Sequence, residues 1–278
     1  MMTWMLAYCS AMPSQSLRVF HDDAGCRLQV RIAIPDGACR HWPHVIWIPG
    51  GGWSRMGLKG MDRLLWLTEH GVAVCGIEYR TVRVAPYPAL VRDVGAGLRF
   101  LDLHGHDLGL DRCRRIVTGD SAGGHLAALV ALTGDDDRFR DERWAAGSIR
   151  VQGCAPVMGP SDLNGMTAAG REPLTDLVGG DPTRDAQAQA IALEASPVRH
   201  VHPDAPPFVI IHGRQDILVT VEHAQRLYEA LSRHGVDRRL VTLPGIRHDS
   251  EQTYAHPQAR AAILDLARRT LAVRPGSI

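Results

Sequence analysis

One heptapeptide limits the fold more than any other stretch of this chain: Gly119-Asp120-Ser121-Ala122-Gly123-Gly124-His125. The β-branched pair Ile116-Val117 leads into it, and an apolar run over residues 126–132 leads out. The order is strand, Gly-x-Ser-x-Gly, helix. So sharp a turn leaves no room for a Cβ on either side of the serine. It also pushes Oγ into the open, with a helix N-terminus behind it that stabilises negative charge. Ser121 is therefore a candidate nucleophile. The rival reading is an ordinary tight turn, because a short motif also arises by chance. The surrounding sequence has to decide.

Apolar segments alternate with helical ones along the chain. Strands are expected at 27–34, 45–48, 72–77, 115–118, 150–155, 208–212 and 239–243, mostly as short, nearly continuous apolar runs of the kind covered on both faces. Helices are expected at 59–70, 89–104, 122–132, 221–234 and 257–272. In the second of these, Leu90, Val94, Leu98 and Leu101 recur at helical spacing. This alternation predicts an α/β fold, a mostly parallel central sheet with helices on both faces. Residues 159–207 break the rhythm. They are rich in Gly, Pro, Asp and Ala, with a weak helical stretch near 184–194. A long insertion between two strands predicts a lid or substrate-binding segment, with a plain surface excursion as the alternative. The whole chain, 1–278, reads as one domain carrying that insertion.

At 278 residues the chain is long enough to bury a core without disulfides or metals. A net charge of +1 gives no electrostatic footprint for nucleic acid. Lys59 is the one lysine, and the arginines are scattered among balancing acids. The six cysteines lie far apart without a C-x-x-C, so neither a disulfide framework nor a zinc site is expected. No cofactor or metal is called for. Residues 1–12 are mildly apolar but lack a basic start, which argues against a signal peptide. No run is long enough to span a membrane. A cytoplasmic location is expected, and the oligomeric state stays open, a homodimer being one option.

A serine hydroxyl is a poor nucleophile until a base removes its proton, and the base must itself be oriented. Both partners should lie where loops converge at strand ends. Asp216 follows the run 208–212, and His248 follows the run 239–243. His223 and His234 fall within a helix, His256 precedes a proline at a helix start, and His212 belongs to a strand. Asp162 and Glu222 are the rival acids. A solvated loop carboxylate and a surface imidazole would each be ordinary alone. Together, in the order Ser121, Asp216, His248, they point to nucleophile, acid and base. The oxyanion of acyl transfer also needs amide donors, each worth roughly 3 kcal/mol in the transition state. Pro49-Gly50-Gly51-Gly52-Trp53 follows a buried strand and lets the backbone turn inward. Gly51 and Gly52, with the Ala122 amide, are the candidate oxyanion hole. Trp53 and Met56 either line the substrate pocket or pack under this loop.

Taken together, these residues resemble the bacterial esterase/lipase branch of the α/β-hydrolase fold, in particular its hormone-sensitive-lipase-like and BD-FAE-type families. The resemblance extends to Glu78-Tyr79-Arg80, to Ala85-Pro86-Tyr87-Pro88 followed by Asp93, to Ala195-Ser196-Pro197-Val198, and to Pro206 through Gly213. It implies a catalytic triad of Ser121, Asp216 and His248, an oxyanion hole at Gly51, Gly52 and Ala122, and a small-molecule ester as substrate. It implies a structural role for Tyr79 and for an Arg80–Asp93 pair bracing the loop before the helix at 89–104. One departure stands out: such families place a histidine at the head of the glycine run, and here it is Pro49, which lacks an N–H and fixes φ. The main expectation is a carboxylic ester hydrolase acting on small acyl or aromatic esters. The alternatives are an arylformamidase or other amidase-type hydrolase on the same machinery and a catalytically silent binding protein on the same scaffold.

Overall fold

The computed structural model describes residues 13–23, 26–134, 136–139 and 146–273. The segment weighed as a signal peptide, with Cys9, lies outside them. Eight strands form one sheet in the order β1-β2-β4-β3-β5-β6-β7-β8. They are β1 (Ser14–Asp23), β2 (Cys26–Ile34), β3 (Trp42–Ile48), β4 (Ala73–Ile77), β5 (Leu110–Asp120), β6 (Cys154–Val157), β7 (Phe208–Gly213) and β8 (Arg238–Leu243). The β1/β2 and β2/β4 pairs are antiparallel, and every later pair is parallel. The helices are α1 (Ala89–His104), α2 (Ala122–Thr133), α3 (Arg171–Val178), α4 (Ala186–Glu194), α5 (Val221–Arg233), α6 (Ser250–Ala255) and α7 (Pro257–Leu271). The segment Leu58–His70, expected as a helix, winds in 3-10 turns. This is the α/β-hydrolase fold.

The central strands are buried on both faces, and their period of two sorts residues between two apolar layers. Along β3, Ile46 and Ile48 face the layer built with α1, α2 and α5, whereas Val45 and Trp47 face the one built with helix 58–70 and α7. In β7 Phe208 and Ile210 join the first layer, and Val209 and Ile211 the second. Parallel strands carry their C-terminal ends to one edge, so the loops after β3, β5, β7 and β8 meet there.

Two strands depart from expectation. β1 has no counterpart in the sequence reading, because six of its ten residues are exposed and only Phe20 and His21 are buried, which leaves an edge strand held mainly by backbone pairing to β2. β6 was placed at 150–155 but runs Cys154–Val157, through Pro156. Cys154 and Met158 donate toward the β7 side, to Pro207 and Ile211. Alternate residues share a side, so the N–H that Pro156 lacks belongs there, and the β6/β7 register skips from Cys154 to Val157. The insertion is also more ordered than a bare excursion, since it contains α3 and α4. No helix among the described residues is long and apolar enough to cross a membrane.

Candidate active site

The turn after β5 places Ser121 at φ 54° and ψ −120°, outside the ordinary regions for an L-residue. Its neighbours explain why the strain holds. A Cβ on Gly119 would lie 2.7 Å from the Ile48 carbonyl oxygen, and one on Gly123 would fall on that same oxygen. The elbow is pressed against the end of β3, and glycine on both sides lets it close. The Ser121 amide donates to the Val157 carbonyl at 2.9 Å, which anchors the turn to β6.

His248, on the loop after β8, places Nε2 2.8 Å from Ser121 Oγ. Its Nδ1 lies 2.6 Å from Asp216 Oδ2. Asp216, on the loop after β7, is buried. Its Oδ1 accepts the amides of Leu218 at 3.0 Å and Val219 at 2.9 Å. Burial pushes this carboxyl up, but hydrogen bonds from His212 and His248, the His248 charge and the Val219 amide outweigh it and hold it well below the usual carboxylate range. An ionised carboxylate on Nδ1 leaves Nε2 as the nitrogen facing the serine. The rival acids lie elsewhere. Asp162 pairs with Arg226 at 3.1 Å, and Glu222 is exposed on the first turn of α5. His212 stays in its strand, with Nε2 2.7 Å from the Val219 carbonyl oxygen. His256 caps α7, accepting the Gln258 amide.

The glycine run after β3 forms a tight turn. Gly51 and Gly52 have φ of 122° and 58°, and the Gly51 carbonyl accepts the amides of Ser54 and Arg55 at 3.2 and 3.0 Å. Pro49 heads the run, and its carbonyl accepts the buried Tyr79 hydroxyl at 2.8 Å. Tyr79 thus holds the loop head at its carbonyl. Burial and the nearby Asp120 charge push its phenol up, which keeps the O–H a donor. Ala122 begins α2, so its amide is one of the first-turn groups with no acceptor inside the helix.

Trp53, expected either to line the substrate pocket or to pack under the loop, takes the second place. It is 2% exposed and packs under the loop. Its Nε1 donates to His125 Nδ1 at 3.2 Å, and His125 Nε2 lies 2.7 Å from the Ala195 carbonyl oxygen. Burial holds the His125 imidazole down, at about 4, against the opposing effect of the Ala195 bond. The neutral ring thereby links the glycine loop, α2 and the end of the insertion. Met56 is half-buried against the same apolar layer. Arg80 grips the buried Asp93 with Nε and Nη2, both at 2.8 Å, and with its own amide at 2.8 Å, bracing the chain ahead of α1.

The sequence reading passed over Asp120, the variable residue inside the Gly-x-Ser-x-Gly pattern. Its carboxylate accepts from Trp47 Nε1 at 2.9 Å and from Ser250 Oγ at 2.6 Å. Neither partner carried a signal, because a tryptophan in a buried strand and a serine in a polar loop are both unremarked in isolation. Among the described residues, no group of three or more His, Cys, Asp or Glu is placed to hold a metal ion.

Known proteins share this arrangement of elements. A carbohydrate esterase from gut microbiota, solved in truncated form, superposes with a TM-score of 0.84 at 22% identity, covering 94% of this chain and 97% of that one. Probable carboxylic ester hydrolase LipM of Mycobacterium tuberculosis is 35% identical over 68% of this chain and 44% of its own length. Esterase LipC of the same organism is 30% identical over 83% of this chain and 60% of its own length. The chain thus spans about half the length of the curated relatives it matches. The BD-FAE family model matches residues 30–231, most of the chain and most of the sheet. The chain belongs to the BD-FAE family.

Proposed function

We propose that this protein is a serine hydrolase that cleaves carboxylic esters with small acyl or aromatic groups. The observation that carries the reading is the His248 ring held between Ser121 Oγ at 2.8 Å and Asp216 Oδ2 at 2.6 Å. His248 takes the hydroxyl proton as Oγ attacks the ester carbonyl. The carbonyl π pair moves to oxygen, and the amides of Gly51, Gly52 and Ala122 receive that charge. When the tetrahedral species collapses, His248 gives its proton to the leaving alkoxide. Water, deprotonated by His248, then releases the acid and restores the serine, while Asp216 keeps the ring in orientation. LipM and LipC, both named as ester hydrolases, support this choice of substrate class.

The insertion at 159–207 acts in this reading as the substrate-side wall of a single domain. Thr167 donates to the Leu218 carbonyl, two residues past the acid, at 3.1 Å. A Cβ built on Gly52 would meet Pro173, at the start of α3, at 3.5 Å. The wall therefore borders both the acid loop and the oxyanion loop.

The test is turnover of nitrophenyl acetate and butyrate beside N-formylkynurenine, with the wild type and Ser121→Ala. Ester turnover that vanishes in Ser121→Ala is the expected result. Faster turnover of the formamide would replace the ester reading with the arylformamidase one. Wild-type inactivity on every ester and formamide would return the chain to a binding role.

A further inference from the structure

His248 sits on a loop that is anchored twice, at equal distances on either side of it. Two residues before it, the Ile246 carbonyl accepts the amide of Gln215, the neighbour of Asp216, at 2.9 Å. Two residues after it, Ser250 Oγ donates to Oδ2 of Asp120, the neighbour of Ser121, at 2.6 Å. The imidazole is thus tied to its acid partner from one side and to its hydroxyl partner from the other. The first tie is backbone to backbone and indifferent to sequence. The second is side chain to side chain and depends on two particular residues.

Asp120 is built for this task. It is 5% exposed, and its two recorded donors, Trp47 and Ser250, are neutral. Among the described residues no ion pair involves it, so its burial is offset by hydrogen bonds alone. Trp47 Nε1, at the end of the strand that feeds the glycine loop, fixes Oδ1 at 2.9 Å and leaves Oδ2 aimed at the His248 loop. Gly50 packs against the same residue, since a Cβ there would lie 2.6 Å from the Asp120 carbonyl oxygen and 2.8 Å from Oδ2. Tyr79 from beyond β4 and Tyr254 from α6 are the titratable groups that feel its charge, and both phenols are pushed up, first by burial and then by Asp120. The first glycine of the run is thus required by the backbone of Asp120 as well as by its carboxylate.

We propose that Asp120 and Ser250 are positioning residues that tether the His248 loop to the nucleophile elbow. The proposal rests on reading Ser121 and His248 as nucleophile and base. Near-attack geometry makes such a tether kinetically visible, because a displacement of about 1 Å costs on the order of a hundredfold in rate.

The experiment compares Ser250→Ala, Ser250→Thr, Asp120→Asn and Ser121→Ala in the full chain with nitrophenyl acetate, following kcat/KM against pH and thermal unfolding. Ser250→Ala is expected to lose about 10- to 100-fold in kcat/KM with its acid limb unmoved and to unfold a few degrees below wild type, because Asp120 loses one of its two donors. Ser250→Thr, which keeps the hydroxyl, is expected to recover most of that loss. Asp120→Asn is expected to lose a similar factor, because a neutral amide holds the Ser250 hydroxyl less firmly than a carboxylate does. The tether is overturned if Ser250→Ala and Asp120→Asn keep wild-type kcat/KM while Ser121→Ala is inactive. It is equally overturned if Ser250→Thr loses as much as Ser250→Ala. An active Ser121→Ala would overturn the serine mechanism itself, a separate failure read from a separate variant.

Discussion

Acid should destabilise this fold chiefly through its buried imidazoles, at a pH above the ordinary carboxylate range. His44 lies in β3 with no exposed surface, and neither ring nitrogen has a hydrogen-bond partner among the described residues. Burial, helped by the nearby Arg115 charge and opposed by the Trp42 backbone, lowers it to about 3. Burial likewise lowers His125 and His223 to about 4. The unfolded chain binds these protons near pH 6.5 and the native state does not, so stability falls as pH drops through 6.5. At pH 5.5 each unfolded imidazole is about ten to one protonated, which is worth about 1.4 kcal/mol. Three of them cost about 4 kcal/mol relative to pH 7.5, a large share of the ~5–15 kcal/mol that holds a domain together. Asp216 does not interfere, because a depressed carboxyl contributes stability that is lost only as pH falls below the unfolded carboxylate range, near 4. Urea unfolding at pH 7.5 and 5.5, for wild type and His44→Leu, isolates one third of the effect. The leucine replaces a ring of similar size, and comparing each protein with itself cancels both the packing change and the opposing contribution of Glu78, whose carboxyl burial raises. His44→Leu should shrink the pH-dependent loss by about 1.4 kcal/mol. An identical loss in both proteins would show that His44 is protonated or hydrated in the native state and would refute the reasoning.

Other perturbations probe the site and its frame. Asp216→Asn keeps an acceptor for the loop amides but loses the charge that orients His248, and kcat should fall by about 10³–10⁴-fold in a nitrophenyl acetate assay. Gly123→Ala drives a methyl into the Ile48 carbonyl, so thermal unfolding should register a loss of about 1–3 kcal/mol or more, together with the activity. Arg80→Met leaves Asp93 buried without its cation, and calorimetry should show destabilisation of about 3–5 kcal/mol. Ser121→Gly should be more stable than Ser121→Ala by roughly 1 kcal/mol in urea, because only glycine relaxes at φ 54°; equal stabilities would mean that the elbow carries no strain.

What could be read from the sequence follows from what periodicity can and cannot encode. Strands β3, β4 and β7 are legible because burial on both faces writes itself as a continuous apolar run. Strand β1 is invisible because its order comes from a ladder with β2, and most of its side chains face water. Strand β6 is misplaced because a proline reads as a stop, whereas here the N–H it lacks falls between two ladder bonds that survive on either side. At the site, Ser121, Asp216 and His248 could be picked out by their positions after strands, and the fold brings them to hydrogen-bonding distance. The ties from Tyr79 to Pro49, Trp53 to His125 and Ser250 to Asp120 could not. Each joins residues 30 to 130 positions apart through one polar atom, and one atom leaves no pattern in a sequence. Trp53 shows the limit plainly: an aromatic residue beside a glycine loop suits a pocket wall or a core plug equally, and its indole N–H finding His125 decides for the core.

The left-handed residues of the chain show why the site and the core cannot be designed apart. Among the described residues, four that are not glycine have positive φ: Trp53, Ser121, Met158 and Ala272. Ala272 merely ends α7. The other three follow β3, β5 and β6, neighbouring strands at the centre of the sheet, and all lie at the edge where the loops converge. Such conformations cost about 1–3 kcal/mol each and persist only where the surroundings over-determine them. Here each is pinned by an atom from the adjoining segment. The Trp53 indole donates to His125, the Ser121 amide to Val157, and the Met158 amide to the Ile211 carbonyl of β7. Met158 therefore fixes the strand end that holds Ser121, and β7, which holds Met158, also carries Asp216. Strain at the nucleophile is thus balanced along the same strands that deliver the acid. A change that loosened β6 would be felt first in the distance from Ser121 Oγ to His248 Nε2, well before the fold itself gave way.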